Sequence, residues 1–247
     1  MKKSSTVGLS LRLQLDWLEH TAMLQLSGAS EDEIREELHR LLQDTISVGV
    51  SSSKHSPRRK VICNLMKIWV TVPSHLETFR DEGLQHLQKL PLEQHLPIHW
   101  GMTTAVYPFF QLLTETVGRL LNLQDTITSA QVYRRVQEQM GDRSTVARAT
   151  QRVLRSLIDW QVLEDTEEKG VYKAAPVRPI DDGSVALWLI EAALIASDVS
   201  SSPLRVITQT PSLFPFRLDT PVLEKHIPES RLEIARQGLD DKVVILE

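Results

Sequence analysis

The sequence predicts a mainly α-helical protein, in which a helical N-terminal domain is followed by a winged helix-turn-helix and a small α+β C-terminal tail. The first 100 residues repeat apolar positions at helical spacing. Residues 119–175 contain, in order, the end of a helix, an extended piece, two more helices and a β-hairpin. Seven of the twelve prolines lie after residue 175, so the composition of the chain changes there. We therefore expect domains at residues 1–100, 101–178 and 179–247.

Helix start and stop signals divide the N-terminal domain and the region after it. Ser56–Pro57 is a strong start, because serine caps a helix and proline fits its first position. The helix that follows is expected to end near Val70, and another is expected over residues 74–90. A long apolar helix is predicted from residue 103 to 122, with Pro108 kinking or delaying its start.

The local signals of the winged unit agree with one another. Thr128 and Gln131 have the spacing of a capping box, which starts the second helix. Gly141 ends that helix, and Asp142 or Ser144 is expected to cap the third one. The apolar stripe of the third helix recurs every three or four residues, at Val146, Thr150, Val153, Leu157 and Trp160.

The sequence of the C-terminal tail predicts one buried helix over about residues 184–197, followed by an irregular stretch. Leu232 then begins a terminal β-hairpin whose turn lies at residues 238–241. Two interpretations of this tail stay open at this point. It is either a second, degenerate winged element or a docking module.

Composition limits the classes of protein that the chain can belong to. Its 247 residues are 41% hydrophobic and 24% charged, which is ordinary for a globular protein. No apolar segment approaches the roughly 20 residues that a membrane span needs, and no signal peptide is evident. The single cysteine, Cys63, excludes an internal disulfide and is interpreted as a small buried hydrophobic residue. We expect a cytoplasmic protein.

Charge is distributed unevenly, although the net charge is only −4. Residues 54–89 contain seven Lys and Arg against three Asp and Glu, and residues 119–155 show the same balance of +4. Residues 159–182 reverse it, with three basic against seven acidic residues. Any surface that binds nucleic acid must therefore be a local cluster of basic residues.

The third helix of the winged unit carries the main candidate DNA-binding residues. Arg148, Arg152 and Arg155 follow one another at helical spacing on the side opposite the apolar stripe. Arginine can bridge the O6 and N7 atoms of guanine or pair with phosphates. The alternative is a solvated basic face, partly neutralised by Asp159. The polar residues near the N-terminal half of the same face are Arg143, Thr145 and Gln151.

A second basic group surrounds the start of the helix at Pro57. Positive side chains at a helix N-terminus oppose the helix dipole, and a bound anion would relieve that cost. This group is therefore a candidate phosphate-binding site, and the alternative is an ordinary exposed loop. Its members are Lys54, His55, Arg58, Arg59 and Lys60.

Sequence signatures of catalysis and of metal binding are missing. The chain has no glycine-rich phosphate loop, no nucleophile elbow and no paired-cysteine motif. His95 and His99 have the i, i+4 spacing of metal ligands, but Pro97 is expected to break the helix that would align them, and no acidic partner is near in sequence. We expect no enzyme activity, no cofactor and no metal. Four tryptophans are expected in the core, namely Trp69, Trp100, Trp160 and Trp188.

Two segments resemble the BrxA-type proteins of bacterial BREX phage-defence systems. The first is a helix that begins SPRRKVICNLMKIW, and the second is the winged half that ends RVLRSLIDWQVLEDT. The resemblance extends over about residues 20–175. It implies a NusB-like helical domain joined to a winged helix, and a non-enzymatic protein that binds DNA. The DNA-binding surface of that family would correspond here to Arg58, Arg59, Lys60, Arg148 and Arg152.

These observations predict a non-enzymatic, double-stranded-DNA-binding component of a multi-protein phage-defence assembly. An acidic hairpin turn works against contact between the wing and phosphates, because Glu167 and Glu168 lie in it. The first alternative is therefore an adaptor that docks onto a larger ATPase, nuclease or methyltransferase. The second alternative is a transcriptional repressor, which would require a dimer.

Overall fold

The computed structural model describes residues 7–9, 11–46, 56–219, 223, 226, 231–237 and 241–246. This part of the chain is mainly helical, which confirms the predicted fold class at that level. Its α-helices are α1 (Leu15–Leu26), α2 (Glu31–Leu41), α3 (Pro57–Trp69), α4 (Glu77–Lys89), α5 (Leu96–Val106), α6 (Pro108–Leu121), α7 (Ser129–Met140), α8 (Ser144–Asp159), α9 (Gly183–Ser197) and α10 (Leu204–Ile207). Short 3₁₀ turns lie at Ser74–Leu76, Leu92–Gln94 and Pro211–Leu213. No helix in the ranges described above is long and apolar enough to cross a bilayer.

The strands are short and form three small sheets. They are β1 (Thr126–Thr128), β2 (Leu163–Asp165), β3 (Val171–Ala174), β4 (Arg178–Ile180), β5 (Ser201–Pro203), β6 (Phe216–Leu218), β7 (Leu232–Gln237) and β8 (Asp241–Leu246). The first sheet is antiparallel with the order β1-β3-β2. β4 pairs with β6 in parallel, and the third sheet has the antiparallel order β5-β8-β7.

Several local predictions are confirmed. Ser56 caps α3, with Pro57 in its first turn. Thr128 and Gln131 form a reciprocal capping box at the start of α7, and Gly141 ends α7 with a φ of 83°, a conformation that favours glycine. The terminal hairpin pairs β7 with β8, although residues 238–240 of its turn lie outside the described residues.

Other local predictions are wrong. The long helix expected from residue 103 begins only at Pro108, as the expected delay by this proline allows, and residues 103–106 belong instead to α5, because Tyr107 leaves the helical conformation. Neither Asp142 nor Ser144 caps α8, whose N-cap is Arg143 without a side-chain hydrogen bond. Asp142 instead accepts a hydrogen bond from the Tyr133 hydroxyl at 2.8 Å.

Cys63 is exposed, so its interpretation as a buried residue is also wrong. Its neighbours Ile62 and Asn64 are buried, whereas Arg59 and Lys67, each one turn away, are exposed with it. Residues four apart share one face of a helix, and this face of α3 is turned to solvent. The four tryptophans expected in the core are buried, which confirms that prediction.

Residues 119–175 have the element order that the sequence predicts. α6 leads into β1, and α7 and α8 follow before β2 and β3 return beside β1. The five stripe residues of α8 all lie in the core, with Trp160 just after the helix. The opposite face of α8 is therefore left to solvent.

An extended N-terminal segment holds the end of α8. Leu9, Leu11 and Leu13 are buried in alternation, which is the period of an extended chain and not of a helix. The Leu13 backbone accepts a hydrogen bond from the Trp160 indole at 3.0 Å and donates one to Ser156 Oγ at 2.8 Å. Arg12 pairs with Asp159 through two hydrogen bonds.

Helix α9 is buried on every face and packs against α5 and α6. Its Trp188 ring stacks on Phe79 of α4, with ring centroids 4.2 Å apart, and its Nε1 donates to the Phe79 carbonyl at 3.1 Å. The ring fills a notch between Gly83 and Gly101, where a Cβ would lie only 2.8 Å and 2.2 Å from it. Two glycines in α4 and α5 thus make room for one side chain of α9.

Arg231, next to β7, ties the C-terminal hairpin to the helices. It pairs with Glu82 of α4 at 2.9 Å and with Glu191 of α9 at 2.8 Å. Burial, partly opposed by the charge of Arg231, raises the pKa of the Glu191 carboxyl to about 7. The division into three domains stays a prediction. Through α9 and Arg231, residues 179–247 contact helices of both other predicted domains.

We predict that Trp188→Ala destabilises the protein by about 3–5 kcal/mol, because it leaves a large cavity between the two glycines. Urea unfolding followed by circular dichroism measures the change. The matched control is Val177→Ala, at a residue that is 54% exposed, and it should change stability by less than about 0.5 kcal/mol. A loss below about 1 kcal/mol for Trp188→Ala would contradict the packing described.

We also predict that Glu191 makes stability fall as the pH rises. Its folded-state pKa of about 7 lies above its ordinary value of 4.5, so the folded state binds the proton more tightly. The free energy of unfolding should fall by up to about 3 kcal/mol between about pH 4.5 and pH 7 on this account. Glu191→Gln should lose this dependence. Identical pH profiles of the two proteins in urea unfolding would rule the effect out.

Candidate nucleic-acid interface

The exposed face of α8 is defined by the buried stripe on its other side. Because the stripe positions recur every three or four residues, they share one side of the helix, and the opposite side points to solvent. Arg155 is only half-buried, whereas the remaining candidates on this helix are exposed. The exposed residues are Thr145, Arg148, Gln151 and Arg152, with Arg143 at the N-cap.

The N-terminal end of this helix is electropositive. The first turn of α8 contains no acidic residue, and no side chain caps its free N–H groups. Arg143 donates to the Met140 carbonyl at 2.9 Å, which holds its guanidinium beside that end. Arg148 reaches Ser144 Oγ at 3.4 Å, and no carboxylate in the described ranges pairs with it. This end of α8 is suited to an anion.

Arg155 is engaged differently from Arg148. Both Asp165 oxygens accept from its Nη1 at 2.9 Å, so the guanidinium is held against β2. The expectation that Asp159 neutralises Arg155 is wrong, because Asp159 pairs with Arg12. The sequence could not reveal either pairing, since both partners come from other elements. Arg155 therefore belongs to the junction between α8 and the hairpin.

The hairpin that follows α8 is acidic at its turn. Glu167, Glu168 and Lys169 are exposed between β2 and β3. Lys173 of β3 pairs with Glu164 of β2 at 2.9 Å across the hairpin, so its charge is matched locally. Phosphates would meet a net negative charge at this turn.

The second basic group is only partly exposed. Lys54 and His55 lie outside the described residues. The Arg58 guanidinium donates to the Gln43 and Ile46 carbonyls at 2.8 Å and 3.0 Å, which satisfies the C-terminal end of α2. Arg59 and Lys60 are exposed in the first turn of α3. Arg58 thus has a structural contact that the sequence did not indicate.

One exposed arginine was not among the sequence candidates, and His39 of α2 does not add a second cation. Burial, together with the charges of Arg58 and Arg59, lowers the pKa of His39 and favours its neutral form. Arg134 of α7 is exposed beside Arg135, which pairs with Glu138 at 3.2 Å. Both arginines fall between the buried Val132 and Val136 in sequence. Their position on the opposite side of the helix could have identified them as exposed from the sequence.

One group in the described ranges could hold a metal ion, and it consists of Glu19, His95 and His99. The expectation that Pro97 breaks the helix is wrong, because proline is tolerated in the first turn of α5. His95 is the N-cap and His99 lies one turn later, and α1 supplies the acidic partner that the local sequence lacks. The expected absence of a metal is not tested by this arrangement.

Comparison of the chain with protein-family models, with curated proteins and with solved structures gave no match.

We predict that Arg58→Ala lowers stability by about 2 kcal/mol, because the Gln43 and Ile46 carbonyls lose a charged donor. Arg59→Ala removes the same charge from the neighbouring, exposed position and should change stability by less than about 0.5 kcal/mol. Urea unfolding of the two variants distinguishes the roles. Equal effects would show that the contacts of Arg58 with α2 contribute nothing.

Proposed function

We propose that the protein binds double-stranded DNA, with α8 as the recognition helix of a winged helix-turn-helix. The observation that carries the proposal is the element order from α6 to β3, combined with a buried α8 stripe and arginines on the opposite face. In such units the helix before the recognition helix crosses the DNA backbone. The N-terminal half of the recognition helix contacts base edges.

The charges around α8 support a specific mode of contact. Arg148 and Arg152 project from the exposed face and can pair with phosphates or guanine edges. Arg134, on the preceding helix, is placed to meet the backbone. The acidic turn at Glu167 and Glu168 would be repelled by phosphates, so the hairpin is turned towards protein or solvent in the proposed complex.

A second contact is proposed at the first turn of α3, through Arg59 and Lys60. Both are exposed, so their positive side chains can pair with phosphate oxygens. Arg58 takes no direct part, since its guanidinium is directed at α2.

The resemblance to BrxA-type proteins supports a cellular role in this proposal. The protein acts as a non-enzymatic component of a BREX-like phage-defence assembly, and other proteins of that assembly are its partners. An adaptor role is the second candidate. It is favoured by the exposed acidic turn and by Leu123, which is 84% exposed after α6.

We predict that the full chain binds a labelled duplex of about 25 base pairs at low salt, and that affinity falls steeply from about 50 to about 200 mM salt. Arg148→Ala with Arg152→Ala should weaken binding at least about tenfold and lower the salt slope by up to about 2. Fluorescence anisotropy across salt concentrations gives both quantities.

Arg35→Ala with Arg40→Ala is the charge-matched control, because it removes two arginines from α2 that pair with Glu31 and Glu37. This control should bind as the unaltered protein does. Absence of binding at low salt, or equal loss in both double variants, would refute the α8 interface. Stable co-purification with a neighbouring gene product without DNA affinity would favour the adaptor.

A further inference from the structure

Two histidines at the start of α5 converge on one carboxylate oxygen of α1. His95 Nδ1 lies 2.9 Å from Glu19 Oε2, and His99 Nε2 lies 2.8 Å from the same atom. The three candidate ligand atoms all lie within 4.8 Å of one another. His99 is fully buried, and His95 is 6% exposed. Two imidazoles and one carboxylate form a donor set that divalent zinc prefers.

The contacts of His95 direct one ring nitrogen at Glu19 and the other away from it. Its Nε2 lies 2.9 Å from the Leu90 carbonyl, which can only accept, so a hydrogen on Nε2 points at that carbonyl. Nδ1 is the nitrogen that faces Glu19 Oε2, and a metal ion would take the place of the proton that joins these two atoms. The Leu90 carbonyl already orients the ring in the way that metal-binding histidines require.

The surroundings restrict the positions of the other two ligands. Glu19 Oε2 lies within hydrogen-bond distance of both ring nitrogens, which holds the carboxylate between the two histidines. The Trp69 ring packs against His99 in a T-shaped contact at 5.4 Å and restricts its orientation.

A cavity of about 390 Å³ opens onto the three ligands. Asp16 and His20, from α1, also line it and lie close to Glu19 in sequence. A fourth ligand can therefore come from water in this cavity. A tetrahedral ion with bonds of about 2.0–2.2 Å separates its ligand atoms by about 3.4 Å, so zinc would lengthen each separation between Glu19 and a histidine by about half an ångström.

We propose that Glu19, His95 and His99 bind a divalent transition-metal ion of the zinc class, which links α1 to α5 and keeps one coordination position open to the cavity. This site shares no residue with the proposed DNA-binding surface, so zinc binding can be measured without DNA. The competing account is a buried cluster in which protons alone join the two histidines to the carboxylate.

The test uses the untagged full chain, stripped with a chelator and titrated with zinc by isothermal calorimetry. We expect saturation at a single equivalent, and a rise in Tm of roughly 5–10 °C when free zinc exceeds its Kd about a hundredfold. Cobalt in place of zinc should give the visible absorption of a four-coordinate site without a thiolate band.

Glu19→Gln and His95→Gln should each lose the saturable binding and the rise in Tm. His75→Gln, which alters an exposed histidine outside the cluster, should retain both. Circular dichroism of each variant establishes that it folds. The proposal is overturned if the unaltered chain takes up no stoichiometric zinc, or if folded Glu19→Gln binds zinc as tightly as the unaltered chain. If zinc changes the Tm of neither protein and Glu19→Gln has a lower Tm than the unaltered chain, the cluster is joined by protons alone.

Discussion

Helix α9 carries apolar side chains on nearly every face, and this one property constrains the rest of the structure. A helix without a polar face has to be surrounded, because every exposed side would leave apolar area in water. α5 and α6 cover it from one direction, and its Trp188 enters the notch formed by Gly83 and Gly101. Residues 119–175 and the N-terminal helices thus share a core with a helix that comes after both in sequence.

Trp100 of α5 extends this core towards α8. Its ring makes edge-to-face contacts with Phe110 of α6, Trp160 after α8 and Phe216 of β6, at centroid distances of 5.0, 6.1 and 5.5 Å. Aromatic pairs of this geometry add to the gain from burial. The base of the proposed recognition helix is therefore fixed by rigid side chains, and its exposed face can be presented in one orientation.

The sequence was sufficient where the determining interactions are local. Capping residues at Ser56 and Thr128 and the stripe on α8 act within one or two turns, so their spacing is visible in the chain. Contacts between distant residues left no such trace. Asp159 pairs with Arg12, 147 residues away, and Glu19 meets His95, 76 residues away. Packing of helices brings these groups together, and periodicity carries no information about it.

The N-terminal segment connects the two proposed sites mechanically. Leu13 is hydrogen-bonded to the end of α8, and only Gln14 separates it from the first residue of α1, which carries Glu19. Glu19 and its two histidines join α1 to α5. The stretch from Leu13 to Glu19 is therefore held at one end by α8 and at the other by α5, and an ion bound by Glu19 would strengthen the second of these attachments.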